Sequence, residues 1–271
     1  MVLCMCFTFI FLTYFVTCAE VVIDFDGGYK NVLVAVNPEI SETKVVGILL
    51  ELERTFKEAS GILQSATRGQ VFFKEVIFLI PKRYSSISLN QKWTKYNQNA
   101  KHPDIFITNS DLFDNPYTIQ HAGCGKQGLR IHIPSKFLTS TKSSKAKALV
   151  REWAHYRYGI FDENGYPDDE LFPTCYKIPG SDIIHVTSCT NEKAVYDFRI
   201  NSQVKEDNIS ATCNPIPVRG RNDHIQSSLM DKMEFPKVTH FCDDEDYPHN
   251  RNTPSKHNAF CKEQSTWKII S

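Results

Sequence analysis

The chain has 271 residues, 31 basic and 31 acidic side chains, a formal net charge of zero and 41% hydrophobic residues. That balance excludes the basic footprint of a nucleic-acid-binding domain. The length allows one sizeable core or two smaller ones.

Residues 1–19 are apolar from Val2 to Val16, and no charged residue precedes Glu20. The run is shorter than the ~20 residues of a comfortable membrane span. Thr17-Cys18-Ala19 offers the small residues of a cleavage site, so we read 1–19 as a secretory signal peptide cut after Ala19. No later stretch is apolar enough to cross a bilayer. The expectation is therefore a secreted, extracellular protein with no transmembrane helix in its mature form. Cleavage removes Cys4, Cys6 and Cys18, leaving Cys124, Cys175, Cys189, Cys213, Cys242 and Cys261. An even number of cysteines in an exported protein predicts disulfides, with the pairing left open. None forms a C-x-x-C pair, which argues against a cysteine-zinc site. Asn208-Ile209-Ser210 is a glycosylation acceptor, which places Asn208 on an exported surface loop.

In sequence order, Glu20–Ile40 reads as two strands around Asp26-Gly27-Gly28, the second being Val32–Val36. Asp24 and Asp26 read as turn residues. Ser41–Thr67 is a helix with Ser41 as N-cap, because Val45, Ile48, Leu49, Leu52, Phe56, Ala59 and Leu63 recur at three- and four-residue steps. Val71–Ile80 is a buried strand ended by Pro81. Lys82–Pro103 reads as loop, Asp104–Thr108 as a short strand, Pro116–Gln127 as loop and Leu129–Ile133 as a strand. Ser143–Tyr158 is the second long helix, and Gly159 ends it. After Pro167 the apolar periodicity weakens and Pro, Asn, Asp and Cys become frequent. There Val195–Ile200 reads as a strand, and Ile225–Met233 and Asn258–Ile270 as short helices. Asp243-Asp244-Glu245-Asp246 reads as a solvated acidic loop, since it lacks the spacing and Gly of an EF-hand.

The second helix carries the chemistry. A zinc-peptidase helix reads H-E-x-x-H, two ligands one turn apart with a Glu as general base. Here the five residues are Arg151, Glu152, Trp153, Ala154 and His155. Glu152 fills the base position and His155 the second ligand position. Arg151 stands at the first, with a fixed charge and no lone pair for a metal. Such a guanidinium is expected to repel zinc and to pair with Asp162, Glu152 or both. His132, His185, His224, His240, His249 and His257 could replace a ligand by residue type alone; each reads as a surface or loop histidine. Trp153, Tyr156 and Tyr158 read as packing residues.

The run EWAHYRYGIFDE resembles the N-terminal domain of the calcium-activated chloride channel regulator (CLCA) family, whose helix has the form HEWAHLRWGVFDE. GGYKNVLVAVNPEI, FFKEVIFLIP, PYTIQHAGCGKQGLRIHIPSKFL and SSLMDKMEFPKVTHFC agree in the same order, so the match covers essentially the whole mature protein. The resemblance implies a secreted or membrane-attached glycoprotein with a zincin-like metallopeptidase domain. It also implies self-cleavage and modulation of chloride channels made by other proteins. Carried over by position, His155 matches the second zinc ligand, Glu152 the catalytic base and Asp162 the third ligand, while Arg151 departs from the first. Full-length members continue into a von Willebrand A domain at about the point where this sequence stops.

The expectation is an α+β fold: a zincin-like metallopeptidase domain with a mixed sheet and two long helices over residues 20–170, then a disulfide-rich extension over 171–271. The expected function is that of a secreted CLCA-like protein with its zinc lost. It would bind a cell-surface protein or a chloride channel. The alternative is an active, self-cleaving zinc endopeptidase that has recruited a replacement ligand.

Overall fold

The structure is a computed structural model that describes residues 20–271 except 86, 88–92, 97–101, 110–112, 142–143, 182, 191–195, 201–212 and 219. The signal peptide expected over 1–19, Asn208 and the Val195 end of one expected strand lie outside the described residues.

Strands β1 (Val22–Ile23) and β2 (Gly28–Lys30) form an antiparallel hairpin. Strand β3 (Val32–Val36), buried at all five residues, then leaves it for a second sheet. Helix α1 (Glu42–Ala66) follows and buries the apolar positions read from its sequence period. Ser41 sits at its N-cap, but its hydroxyl meets Thr43 Oγ1 at 2.8 Å and caps no backbone N–H.

The stretch expected as one strand over Val71–Ile80 is two. β4 (Phe72–Phe73) pairs in parallel with β2, and β5 (Val76–Pro81) pairs with β3 in the other sheet. Lys74 and Glu75 make the step between sheets, both N–H groups donating to Tyr29 O at 3.0 and 2.9 Å. Two stretches expected as loop contain strands. β6 (Trp93–Tyr96) adds to β5 at one edge, and β8 (Tyr117–Ile119) adds to β9 (Arg130–Pro134) at the other. With β7 (Ile105–Thr108) they complete a six-stranded sheet in the order β6-β5-β3-β7-β9-β8. Every neighbouring pair in it is parallel except β8–β9. The inner strands β3 and β5 are largely covered on both faces and carry apolar runs without alternation, whereas β9 alternates Arg130, Ile131, His132 and Ile133.

Short helix α2 (Ser135–Thr139) leads into α3 (Lys145–Tyr158). Helices α1 and α3 pack on each other and on the sheet, around Trp153, which is fully buried. Its ring stands edge-on to Tyr29 and Phe73, with centroids 5.1 and 4.9 Å away. Tyr156 OH donates to Asp104 Oδ1 at 2.5 Å, and Leu33 N donates to Asp104 Oδ2 at 2.8 Å, which ties α3 to the sheet.

The C-terminal part has little regular structure. Hairpins β10–β11 (Cys175–Lys177, Ile184–Val186) and β12–β13 (Tyr196–Ile200, Cys213–Pro217) are its only sheets among the described residues. Ile225–Met233 is not a helix, contrary to expectation. Ser227 Oγ donates to Cys189 O, and Ser228 Oγ accepts from Met230 N and Cys242 N. Serine hydroxyls that take local backbone partners compete with a helix. Asn258–Ile270 is two helices, α4 (Lys256–Cys261) and α5 (Thr266–Ile270), broken at Lys262 and Glu263, where φ is 55° and 57°. Ser255 and Ser265 cap them through their side chains. Ile225, Leu229, Met230, Phe235, Val238 and Phe241 join the same buried cluster as Trp153.

All six predicted cysteines are paired: Cys124–Cys261, Cys175–Cys213 and Cys189–Cys242. The architecture is α+β with mixed sheets and disulfides. Replacing Trp153 by Ala is expected to cost about 3–5 kcal/mol, read from urea denaturation. A loss near zero would show that the three rings are not the centre of the core.

Candidate functional site

Arg151 and His155 are one turn apart on α3, so both project from one face. Gly159 then turns the backbone in a left-handed conformation, φ 62°, with its N–H on His155 O at 3.1 Å. A Cβ at Gly159 would stand 2.3 Å from Lys126 O, so this turn needs glycine for space as well as for φ. The turn returns Phe161-Asp162-Glu163 beneath the helix.

Asp162 is the centre of what it meets. Its Oδ1 lies 2.6 Å from Arg151 Nη2 and 3.0 Å from His155 Nε2, and its Oδ2 accepts from Tyr166 OH at 2.7 Å. Burial alone would raise the Asp162 pKa, but Arg151 and His155 overcome it and hold the carboxyl far below its usual range. Arg151 Nη2 also reaches Asn164 Oδ1 at 3.3 Å. His155 Nδ1 faces Ile160 O at 2.6 Å, a contact that only a protonated nitrogen makes favourably. Burial pushes the His155 pKa down and Asp162 pushes it up more, so the imidazole is held above its ordinary value. In that protonated form both ring nitrogens carry hydrogens, one toward Ile160 O and one toward Asp162.

Glu152 does not join this group. Its Oε2 accepts from Thr118 Oγ1 of β8 at 2.7 Å, and the same hydroxyl touches Glu152 O at 3.1 Å. Burial raises its pKa, and His155 and Thr118 oppose the rise. The pair expected of Arg151 with Asp162, Glu152 or both is with Asp162. Thr118, Gln120, Arg151, Glu152, His155 and Lys256 stand around one cleft of about 490 Å³.

Zinc catalysis needs three protein ligands and an open position. Of the side chains at the implied positions, His155 and Asp162 carry lone pairs and Arg151 carries none. Among the described residues, the threefold groupings of possible ligands centre on Glu163, not on His155. The donor set falls one ligand short, and a guanidinium already occupies the carboxylate.

Glu163 faces the other way. It is fully buried, and its Oε1 meets His249 Nδ1 at 3.0 Å and accepts from Thr266 Oγ1 at 3.1 Å. His249 Nε2 donates to Asn258 Oδ1 at 2.6 Å, an oxygen fixed by the two carbonyls that Asn258 Nδ2 bonds. His257 donates its backbone N–H to Asp162 O, and its ring lies between Phe161 O and Gln264 O. His249 and His257 were expected as surface or loop histidines and are instead buried. Their partners lie 86 and 96 residues away, beyond any local pattern. The acidic run is likewise not all solvated. Asp243 is buried, accepts from the N–H groups of Glu245 and Tyr247, and pairs with Arg68 at 2.5 Å. Cys124–Cys261 ties the loop before β9 to α4, while Thr118, Tyr166 and Lys256 line the cleft and Asn164 accepts from Arg151, none of them marked by a motif.

The family model for the N-terminal part of calcium-activated chloride channel proteins matches residues 23–271. The protein belongs to the CLCA family. It is similar to calcium-activated chloride channel regulator 1 of Bos taurus, 30% identical over 265 residues, covering 90% of this sequence and 28% of that protein. Regulator 2 of Mus musculus is 28% identical over 269 residues, covering 91% and 26%. Regulator 2 of Homo sapiens is 29% identical over 261 residues, with the same two shares. The sequence thus spans about a quarter of the length of the curated CLCA relatives it matches. No solved structure matches it.

The lock at Glu163 has a pH signature in this CLCA protein. Burial lowers the His249 pKa, but the bond to Glu163 and its charge win, so the folded value is raised; Asn258 adds to this and Arg251 opposes it. The stability it contributes is complete below the unfolded value of about 6.5 and is lost as pH rises through the folded value. Urea unfolding between pH 5 and 9 is expected to show that loss in the natural protein and a flatter curve in His249→Gln. Parallel curves would remove His249 from the account.

Proposed function

We propose that this protein is a secreted CLCA-family domain descended from a zincin-like metallopeptidase. Its peptidase centre would have become a metal-free, ion-paired binding cleft. The observation that carries the reading is Arg151 Nη2 at 2.6 Å from Asp162 Oδ1, at the place where the resemblance puts the first zinc ligand beside the third. The guanidinium answers the carboxylate's charge with N–H donors and supplies no Lewis acidity. Glu152 then has no metal-bound water to activate and keeps its bond to Thr118.

Paired cysteines support an extracellular location. The relatives' names as chloride channel regulators support a role in which this domain binds a cell-surface protein or a channel. A working zinc endopeptidase would require a replacement ligand beside His155.

Zinc content of the purified protein, beside Arg151→His, tests the proposal. The natural protein is expected to hold no zinc and the variant about one, with peptide cleavage following the metal. One zinc in the natural protein would overturn the plugged site and restore the peptidase.

A further inference from the structure

The cleft holds more hydrogen-bond donors than its own acceptors use. Arg151 spends Nη2 on Asp162 and Asn164, and its Nη1 and Nε have no acceptor among the described residues. Its side chain is 15% exposed, and it lines the cleft. Gln120 lines the same cleft, and its Nε2 is buried with no acceptor among the described residues. A donor buried in that state costs free energy until something accepts from it. Lys256, from α4, also lines the cleft, with Nζ 5.5 Å from the Phe161 ring centroid, and no carboxylate among the described residues pairs with it.

The cleft's own carboxylates do not answer these donors. Asp162 already takes Arg151, His155 and Tyr166, and Glu152 is turned to Thr118. What is missing is an acceptor with a single negative charge. Nη2 belongs to both edges of the guanidinium and is already spent, so Arg151 offers a carboxylate oxygen a single charge-assisted hydrogen bond from Nη1 or Nε. Glu152 on the same wall disfavours a more highly charged group such as a phosphate dianion. A volume of about 490 Å³ takes a few peptide residues rather than a folded domain.

We propose that the cleft binds a peptide carboxylate, with Arg151 as its anchor and Gln120 and Lys256 as further donors. The proposal rests on the metal-free reading of the site. The carboxylate comes from an acidic side chain or from the free carboxyl end of a peptide, two sources of the same chemistry.

Fluorescence anisotropy on the purified protein tests it with three dye-labelled pentapeptides. GGEGG-amide carries only a side-chain carboxylate, GGQGG only a terminal one, and GGQGG-amide neither. At least one carboxylate peptide is expected to bind about tenfold or more tighter than the neutral amide, and which one does so names the source. Lys256→Gln is expected to weaken that binding several-fold at unchanged melting temperature. Arg151→Gln should remove it; if that variant unfolds, Lys256→Gln and Gln120→Ala decide. Carboxylate peptides that bind no better than the neutral amide overturn the proposal, as does binding that Lys256→Gln and Gln120→Ala both leave intact. Zinc content and peptide cleavage are read on the same sample. A zinc-bearing, cleaving protein sinks the metal-free reading, whereas a zinc-free protein indifferent to carboxylates sinks this inference alone.

Discussion

A carboxylate taken out of water has to collect donors, and Asp162 collects them from three directions. Arg151 and His155 come from successive turns of α3, and Tyr166 comes from beyond the corner. The three converge because Gly159 reverses the backbone in a conformation that other residues rarely adopt. From behind, His257 N holds Asp162 O, and Glu163 N holds Met230 O. A buried ion pair of this kind is weak evidence of stability compared with apolar packing. Its force is geometric, since removing one partner strands the others.

On the proposed reading a guanidinium stands where a metal ligand stood, which alters what that geometry offers. A zinc dication draws on lone pairs, whereas Arg151 presents N–H groups to the same carboxylate. His155 is nonetheless oriented through Nδ1 on Ile160 O, so Nε2 is aimed at the centre whatever stands there. On the proposed reading, the scaffold that aimed ligands at a metal now aims donors into a cleft, and the site passes from chemistry to recognition.

Much of the fold could be read from the sequence because burial imposes periodicity. The apolar steps of α1, the unbroken run of β3 and the glycine stop after α3 each follow from a local rule. The edge strands β6 and β8 could not be read that way. They are short, and β8 is only partly covered, so no apolar run marks them. Ile225–Met233 misled because its apolar residues serve a turn held by serine hydroxyls rather than a helix face. At the site, Arg151, Glu152 and His155 stood out because motif spacing is local, and Asp162 stood out through the family resemblance. Thr118, Tyr166 and the buried pair His249 and His257 were not. Thr118, His249 and His257 acquire their roles from partners 34 to 96 residues away. Tyr166 is close to Asp162 in sequence but belongs to no motif.

The bond between Cys124 and Cys261 closes a covalent ring over a sequence separation of 137 residues. Helix α3, the Asp162 corner and both other disulfides lie inside that ring. A single cut anywhere between those two cysteines opens the ring without dividing the molecule. Backbone scission in the weakly structured C-terminal part therefore leaves one covalently joined species until a reductant is added. The walls of the cleft stay tethered to each other through such damage.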